Sequence, residues 1–73
     1  MTKVGFVGLG HNGVAHIEAH LGLGRSTVAA LCDVNAERLE AASERFGIDR
    51  TYLSAEELCA QPDIDAVSVN TGD

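Results

Sequence analysis

A chain of 73 residues, 45% of them apolar and few aromatic, allows one small domain and argues against disorder. Its net charge of −6 argues against a nucleic-acid or anionic-membrane partner, since either needs basic patches. No segment approaches the roughly eighteen consecutive apolar residues of a membrane span, and Met1-Thr2-Lys3 lacks signal-peptide architecture, so the expectation is a cytoplasmic protein with Cys32 and Cys59 reduced.

In chain order the hydrophobic pattern alternates between short apolar runs and helical stripes. Residues 3–8 form a nearly continuous apolar run, the mark of a strand covered on both faces. From Asn12 to about Leu23, Val14, Ile17 and Leu21 recur at helical spacing, with Gly22 and Gly24 as closing signals. Residues 27–32 are a second apolar run, ended by Asp33. Asn35 is then a candidate N-cap for a helix with the inward stripe Leu39, Ala42 and Phe46, and Gly47-Ile48 predicts a Schellman-type stop.

A brief third strand is expected over residues 51–53, followed by Ser54-Ala55-Glu56-Glu57, which reads as a capping box. Pro62 ends that short helix, and residues 64–70 form the fourth strand, with Ala66, Val67 and Val69 suggesting a buried one. Alternating strands and helices predict an α/β fold: half of a doubly wound parallel sheet, order 3-2-1-4, with helices on both faces. Residues 1–73 then make a partial dinucleotide-binding domain, with a further loop and helix expected beyond the fourth strand. An edge left open on that strand would invite self-pairing, and a homo-oligomer is expected.

The chemistry concentrates in Gly8-Leu9-Gly10-His11-Asn12-Gly13, placed between the first strand and the first helix, with Asp33 about twenty positions further on. In this pattern the first glycine turns the strand tightly, the second lets a pyrophosphate touch backbone, and the third brings helix and strand together. The helix N-terminus supplies free N–H groups and partial positive charge. His11 and Asn12 would act chiefly through their backbone N–H groups.

Asp33 would accept hydrogen bonds from the adenosine ribose, and would repel a 2′-phosphate, with no basic residue at Val34 or Asn35 to compensate. NAD is therefore expected in preference to NADP, with Val34 counted among the cofactor positions; the alternative is that Asp33 only begins a turn. Arg38 either stacks on adenine or is a surface arginine paired with a carboxylate. Asn70 and Thr71, at the switch point, either meet the nicotinamide ribose or a phosphate, or simply close the strand. His16 and His20 stand four apart, but with no third ligand in sight a structural or surface role is expected and no metal.

The chain resembles the N-terminal domain of the glucose-fructose oxidoreductase and inositol dehydrogenase (Gfo/Idh/MocA) family. The resemblance rests on Val4-Gly5-Phe6-Val7-Gly8-Leu9-Gly10 with Gly13 and His16, on Cys32-Asp33-Val34-Asn35-Ala36-Glu37-Arg38, on Phe46-Gly47-Ile48 and Tyr52, and on Asp63-Ile64-Asp65-Ala66-Val67. It implies an NAD(P)-dependent oxidoreductase acting on a sugar, an inositol or a related polyol, with the substrate site formed by a second domain outside this chain. Gly8, Gly10, His11, Asn12, Gly13, Asp33, Arg38 and Thr71 map onto cofactor-contacting positions, and His16 onto an architectural one. Gly72 and Asp73 stand where the family usually has proline and asparagine. The family's Glu-Lys-Pro segment, whose lysine serves catalysis, is not in this sequence, so no residue here is nominated as catalytic. A reading of another class is a non-catalytic dinucleotide-sensing or scaffold module.

Overall fold

The computed structural model describes residues 2–24 and 26–70, with the side chains of residues 11, 12, 23 and 26 outside the description. The elements run β1 (Thr2–Val7), α1 (His11–Leu23), β2 (Ser26–Cys32), α2 (Ala36–Phe46), β3 (Thr51–Tyr52), α3 (Ala55–Cys59) and β4 (Ala66–Val69). All neighbouring strands are parallel, in the order β3-β2-β1-β4, as the alternation predicts.

Side-chain alternation sorts the core into two layers. Val4, Phe6, Val28 and Leu31 face Ile17 of α1 and Leu39 and Ala42 of α2, with Leu9 and Ile48 filling the ends. On the opposite face Ala30 and Cys32 pack with Leu58 of α3, and Val7, Tyr52, Ile64 and Val67 close around them. Two helices on one face and one on the other follow from right-handed crossovers in this strand order.

A bulge in β2 makes this division work. Val4 pairs with Val28 but Gly5 pairs with Ala30, so Ala29 is an extra residue in the ladder. Without it Val28 and Ala30 would share a face; with it Val28 and Leu31 point to α1 and α2, while Ala30 and Cys32 point to α3. Gly5 meets the α3 layer directly, since a Cβ there would lie 2.6 Å from Leu58 Cδ2.

Local signals explain most boundaries. Asn35 caps α2, its Oδ1 accepting from the N–H groups of Glu37 at 3.0 Å and Arg38 at 3.2 Å. Gly47 ends α2 in the left-handed region at φ 67, and the Ile48 N–H reaches back to the Ser43 carbonyl at 3.1 Å, completing the Schellman motif. Four expectations need correction. Gly22 lies inside α1, and Gly24 alone closes it at φ 67. Leu21 is 49% exposed, because after Ile17 the inward line of α1 passes through His20, whose ring packs on Phe6. Ser54 accepts from the Glu56 N–H rather than from Glu57, and Glu57 makes no returning bond among the described residues. β4 is half-exposed, with Val69 64% accessible, because among the described residues it is an edge strand that pairs only with β1.

The N-terminal ends of the strands are tied by one ionic network. Arg50 donates to both oxygens of Asp63, at 2.6 and 3.0 Å, and to Gln61 Oε1 at 3.3 Å, while Lys3 Nζ stands 3.6 Å from Asp63 Oδ2. Hydrogen bonds from Arg50 hold the Asp63 carboxyl at about 2, below the ordinary 3.8, against the opposing effect of desolvation. A carboxyl depressed in the folded state stabilises the fold above the unfolded-state value and ceases to do so as pH falls through the folded-state value. The melting temperature of the wild type should therefore fall between about pH 4 and pH 2 more than that of Asp63→Asn. Thermal melts followed by circular dichroism check this, and parallel curves for the two proteins would refute it.

Candidate functional site

The C-terminal ends of β1, β2 and β4 meet at the first turn of α1. The Gly8 N–H donates to the Cys32 carbonyl at 2.9 Å and the Asn70 N–H donates to the Val7 carbonyl at 2.8 Å, so the end of β1 is held on both sides. Gly8 then turns out of the sheet at φ 90, where a Cβ would lie 2.0 Å from the Asn70 carbonyl oxygen. Gly13 brings α1 so close that a Cβ would stand 1.9 Å from the Gly8 carbonyl oxygen. Two of the three expected glycine tasks are thus visible as backbone approaches.

Gly10 is the N-cap of α1, in extended backbone and without a side-chain cap. The first turn of a helix leaves its N–H groups without internal acceptors, and no acidic residue of that turn competes for them. This makes a concentration of donors and partial positive charge where β1 ends. The side chains of His11 and Asn12, and Thr71 entirely, lie outside the described residues.

Asp33 follows β2 directly and is only 7% exposed. Its Oδ2 accepts from the Leu9 N–H at 2.8 Å and its Oδ1 from the Asn35 N–H at 2.8 Å. The second bond is an Asx turn, so the turn-forming alternative holds as far as it goes. The first bond reaches across 24 residues to the glycine loop, which a local turn does not require. A carboxylate offers about four acceptor positions, so two bonds leave capacity for hydroxyl donors.

Val34 is 87% exposed beside Asp33, and Arg38 stands exposed in the first turn of α2. Asn70 is half-buried at the end of β4, its Nδ2 donating to Ser68 Oγ at 3.1 Å and lying on the Gly13 side of the crevice, where its Cβ is 3.6 Å from the place a Gly13 Cβ would take. Gly8, Gly13, Asp33 and Asn70 are therefore brought to one crevice. Sequence reasoning passed over Leu9, whose amide is the link to Asp33, and Gly5, whose signal was only a glycine inside a strand.

Other groups are arranged for structure. His20 packs its ring edge-on to Phe6 at 5.1 Å, with Nδ1 3.2 Å from the His16 carbonyl oxygen, so this imidazole is engaged with the core and the helix backbone. No group of three metal-ligating side chains occurs among the described residues. Cys32 and Cys59 are free thiols, and burial followed by the Asp33 charge pushes the Cys32 thiol up, away from thiolate chemistry. A groove of about 410 Å³ lies between α2, β3 and α3, but it shares no residue with the glycine loop, and Glu40 and Glu57 on its walls would repel phosphate. No helix among the described residues is long and apolar enough to cross a membrane.

Comparison with known proteins agrees with this geometry. A family model described as "Oxidoreductase family, NAD-binding Rossmann fold" matches residues 2–73. Myo-inositol 2-dehydrogenase of Thermotoga maritima is 33% identical over 67 residues, which are 92% of this chain and 20% of that protein. D-apiose dehydrogenase of Paraburkholderia graminis is 33% identical over 69 residues, 94% of this chain and 18% of that protein. Among solved structures, myo-inositol dehydrogenase from Lactobacillus casei in complex with NAD(H) and myo-inositol superposes with a TM-score of 0.90 at 36% identity, covering 97% of this chain and 22% of that one. The chain thus spans about a fifth of the length of the relatives it matches.

Proposed function

The chain belongs to the oxidoreductase family with an NAD-binding Rossmann fold, and on that premise we propose that it is the partial cofactor-binding domain of an enzyme moving hydride between a sugar, inositol or related polyol and NAD. The observation that carries the reading is the glycine turn, where two absent side chains leave backbone open at a helix N-terminus beside the Asp33 carboxylate. The named relatives are dehydrogenases of a polyol and of a sugar, which supports that substrate class over a non-catalytic sensor.

The residues fit the cofactor. A pyrophosphate would lie on the first-turn N–H groups of α1, from Gly10 through His11 and Asn12 to Gly13, with Gly8 making room. Asp33 would accept from the adenosine ribose hydroxyls, Val34 would offer an apolar seat to adenine, and Arg38 would cover it. Asn70 and Thr71 would face the nicotinamide half. When bound, NAD supplies the hydride acceptor.

This chain binds and orients, and proton transfer belongs to residues outside it. Its single lysine, Lys3, stands at the opposite end of the sheet and is paired with Asp63. We place the protein in the cytoplasm, with no nucleic-acid or membrane partner.

Cofactor preference follows from charge. A 2′-phosphate beside the Asp33 carboxylate is a like-charge contact in a partly desolvated site, which costs on the order of 2 kcal/mol. Isothermal titration should show NAD binding about thirtyfold more tightly than NADP. Equal dissociation constants would overturn the preference, and heat from neither cofactor would overturn the site. The open edge of β4 should also promote self-association. Sedimentation velocity over a hundredfold concentration range should show a rising sedimentation coefficient, and a constant monomer value would refute the pairing.

A further inference from the structure

We infer that Asp33 is a positioning residue for the phosphate loop, beyond accepting a ribose, and that it sets which loop amides remain for a ligand. The ligand part of this inference rests on the function proposed above; the loop part does not. The Gly8 N–H is taken by the Cys32 carbonyl, the Leu9 N–H by Asp33 Oδ2, and the Val14 N–H by the Gly10 carbonyl. Between them, the amides of residues 10–13 are the first-turn donors that a helix leaves open.

The Leu9 link is well protected. Leu9 is 4% exposed, its side chain belongs to the core layer with Phe6 and Ile17, and the bond its amide makes to Asp33 is buried. A buried N–H bonded to an ionised carboxylate makes one of the stronger protein hydrogen bonds, and leaving it unpaired is correspondingly costly. The other oxygen of the same carboxylate holds the Asn35 N–H, and Asn35 caps α2. One side chain therefore ties the glycine turn, the end of β2 and the start of α2 into a single rigid unit.

The two roles of Asp33 predict opposite signs for an anion that has no ribose. If Asp33 served ribose alone, removing its charge would leave inorganic pyrophosphate binding unchanged or stronger, because a nearby negative charge is gone. If Asp33 positions the loop, pyrophosphate should bind more weakly. In Asp33→Asn, which keeps size and loses charge, the expected result is about three- to tenfold weaker pyrophosphate binding by titration calorimetry. Hydrogen exchange of the Leu9 amide, read by NMR without ligand, should accelerate at least about tenfold relative to Phe6 and Ile17.

Unchanged Leu9 exchange, or pyrophosphate binding that is equal or tighter, overturns the inference. Should the wild type bind neither pyrophosphate nor NAD, the proposed function fails while the exchange result still decides the loop role. Should the variant not fold, the unmodified chain decides it. A scalar coupling across the hydrogen bond between the Leu9 nitrogen and the Asp33 carboxyl carbon supports the inference, and its absence refutes it.

Discussion

Alanine at Gly13 should abolish dinucleotide binding and lower the melting temperature steeply, whereas alanine at Gly22 in the same helix should leave both intact. At Gly13 the new Cβ would stand 1.9 Å from the Gly8 carbonyl oxygen and 3.0 Å from that carbonyl carbon, and both are backbone atoms. No side chain can swing aside. To regain an ordinary carbon-to-oxygen contact of roughly 3.3 Å, α1 must withdraw from β1 by more than about 1 Å. Overpacking of this kind costs about 1–3 kcal/mol, against a total stability of about 4–11 kcal/mol for a chain of this size. The withdrawal also moves the first-turn N–H groups away from the crevice. Gly22 has nothing within 4 Å of the place its Cβ would take, and alanine there should raise helix stability by about 0.5–1 kcal/mol. Calorimetric titration with NAD and thermal melts of both variants decide the matter; a Gly13→Ala protein with wild-type melting and affinity would show that the close approach is dispensable.

What could be read before the structure was whatever is local in sequence. The N-cap at Asn35, the Schellman stop at Gly47-Ile48 and the order of strands all follow from signals within a few residues or from the alternation of elements. The glycine loop was legible for the same reason, since its spacing encodes a turn and a helix approach. What could not be read depends on partners far along the chain. The bulge at Ala29 is set by how β2 must serve two layers at once, and nothing in Thr27-Val28-Ala29-Ala30-Leu31 marks which alanine is extra. The exposure of β4 is a property of its place at the sheet edge, while its apolar sequence resembles that of a covered strand. The Arg50 to Asp63 pair and the Leu9 to Asp33 bond join loops that only the finished fold brings together. The Asp33 position was legible, but its bond to the loop was not.

Phe6→Ala should be the most damaging truncation in the core, and it should act on the site only through folding. Phe6 is fully buried in the layer shared by α1 and α2, two residues before Gly8, and its ring meets the edge of His20 at 5.1 Å. Removing a buried ring costs about 3–5 kcal/mol through lost transfer energy and the cavity left behind. In a chain whose whole stability is about 4–11 kcal/mol, that removes between about a quarter and all of it. Urea titration should show the midpoint falling by at least about a quarter with an unchanged slope. Val69→Ala, on the exposed edge of β4, should shift stability by no more than about 0.5 kcal/mol. Because the crevice itself keeps its atoms in Phe6→Ala, saturating NAD should refold the variant by mass action, adding about 2.7 kcal/mol at a hundredfold excess over the dissociation constant. A variant that melts low and regains stability with NAD as the wild type does has lost packing alone. One that melts low and gains nothing has lost the geometry of β1, and the glycine turn with it.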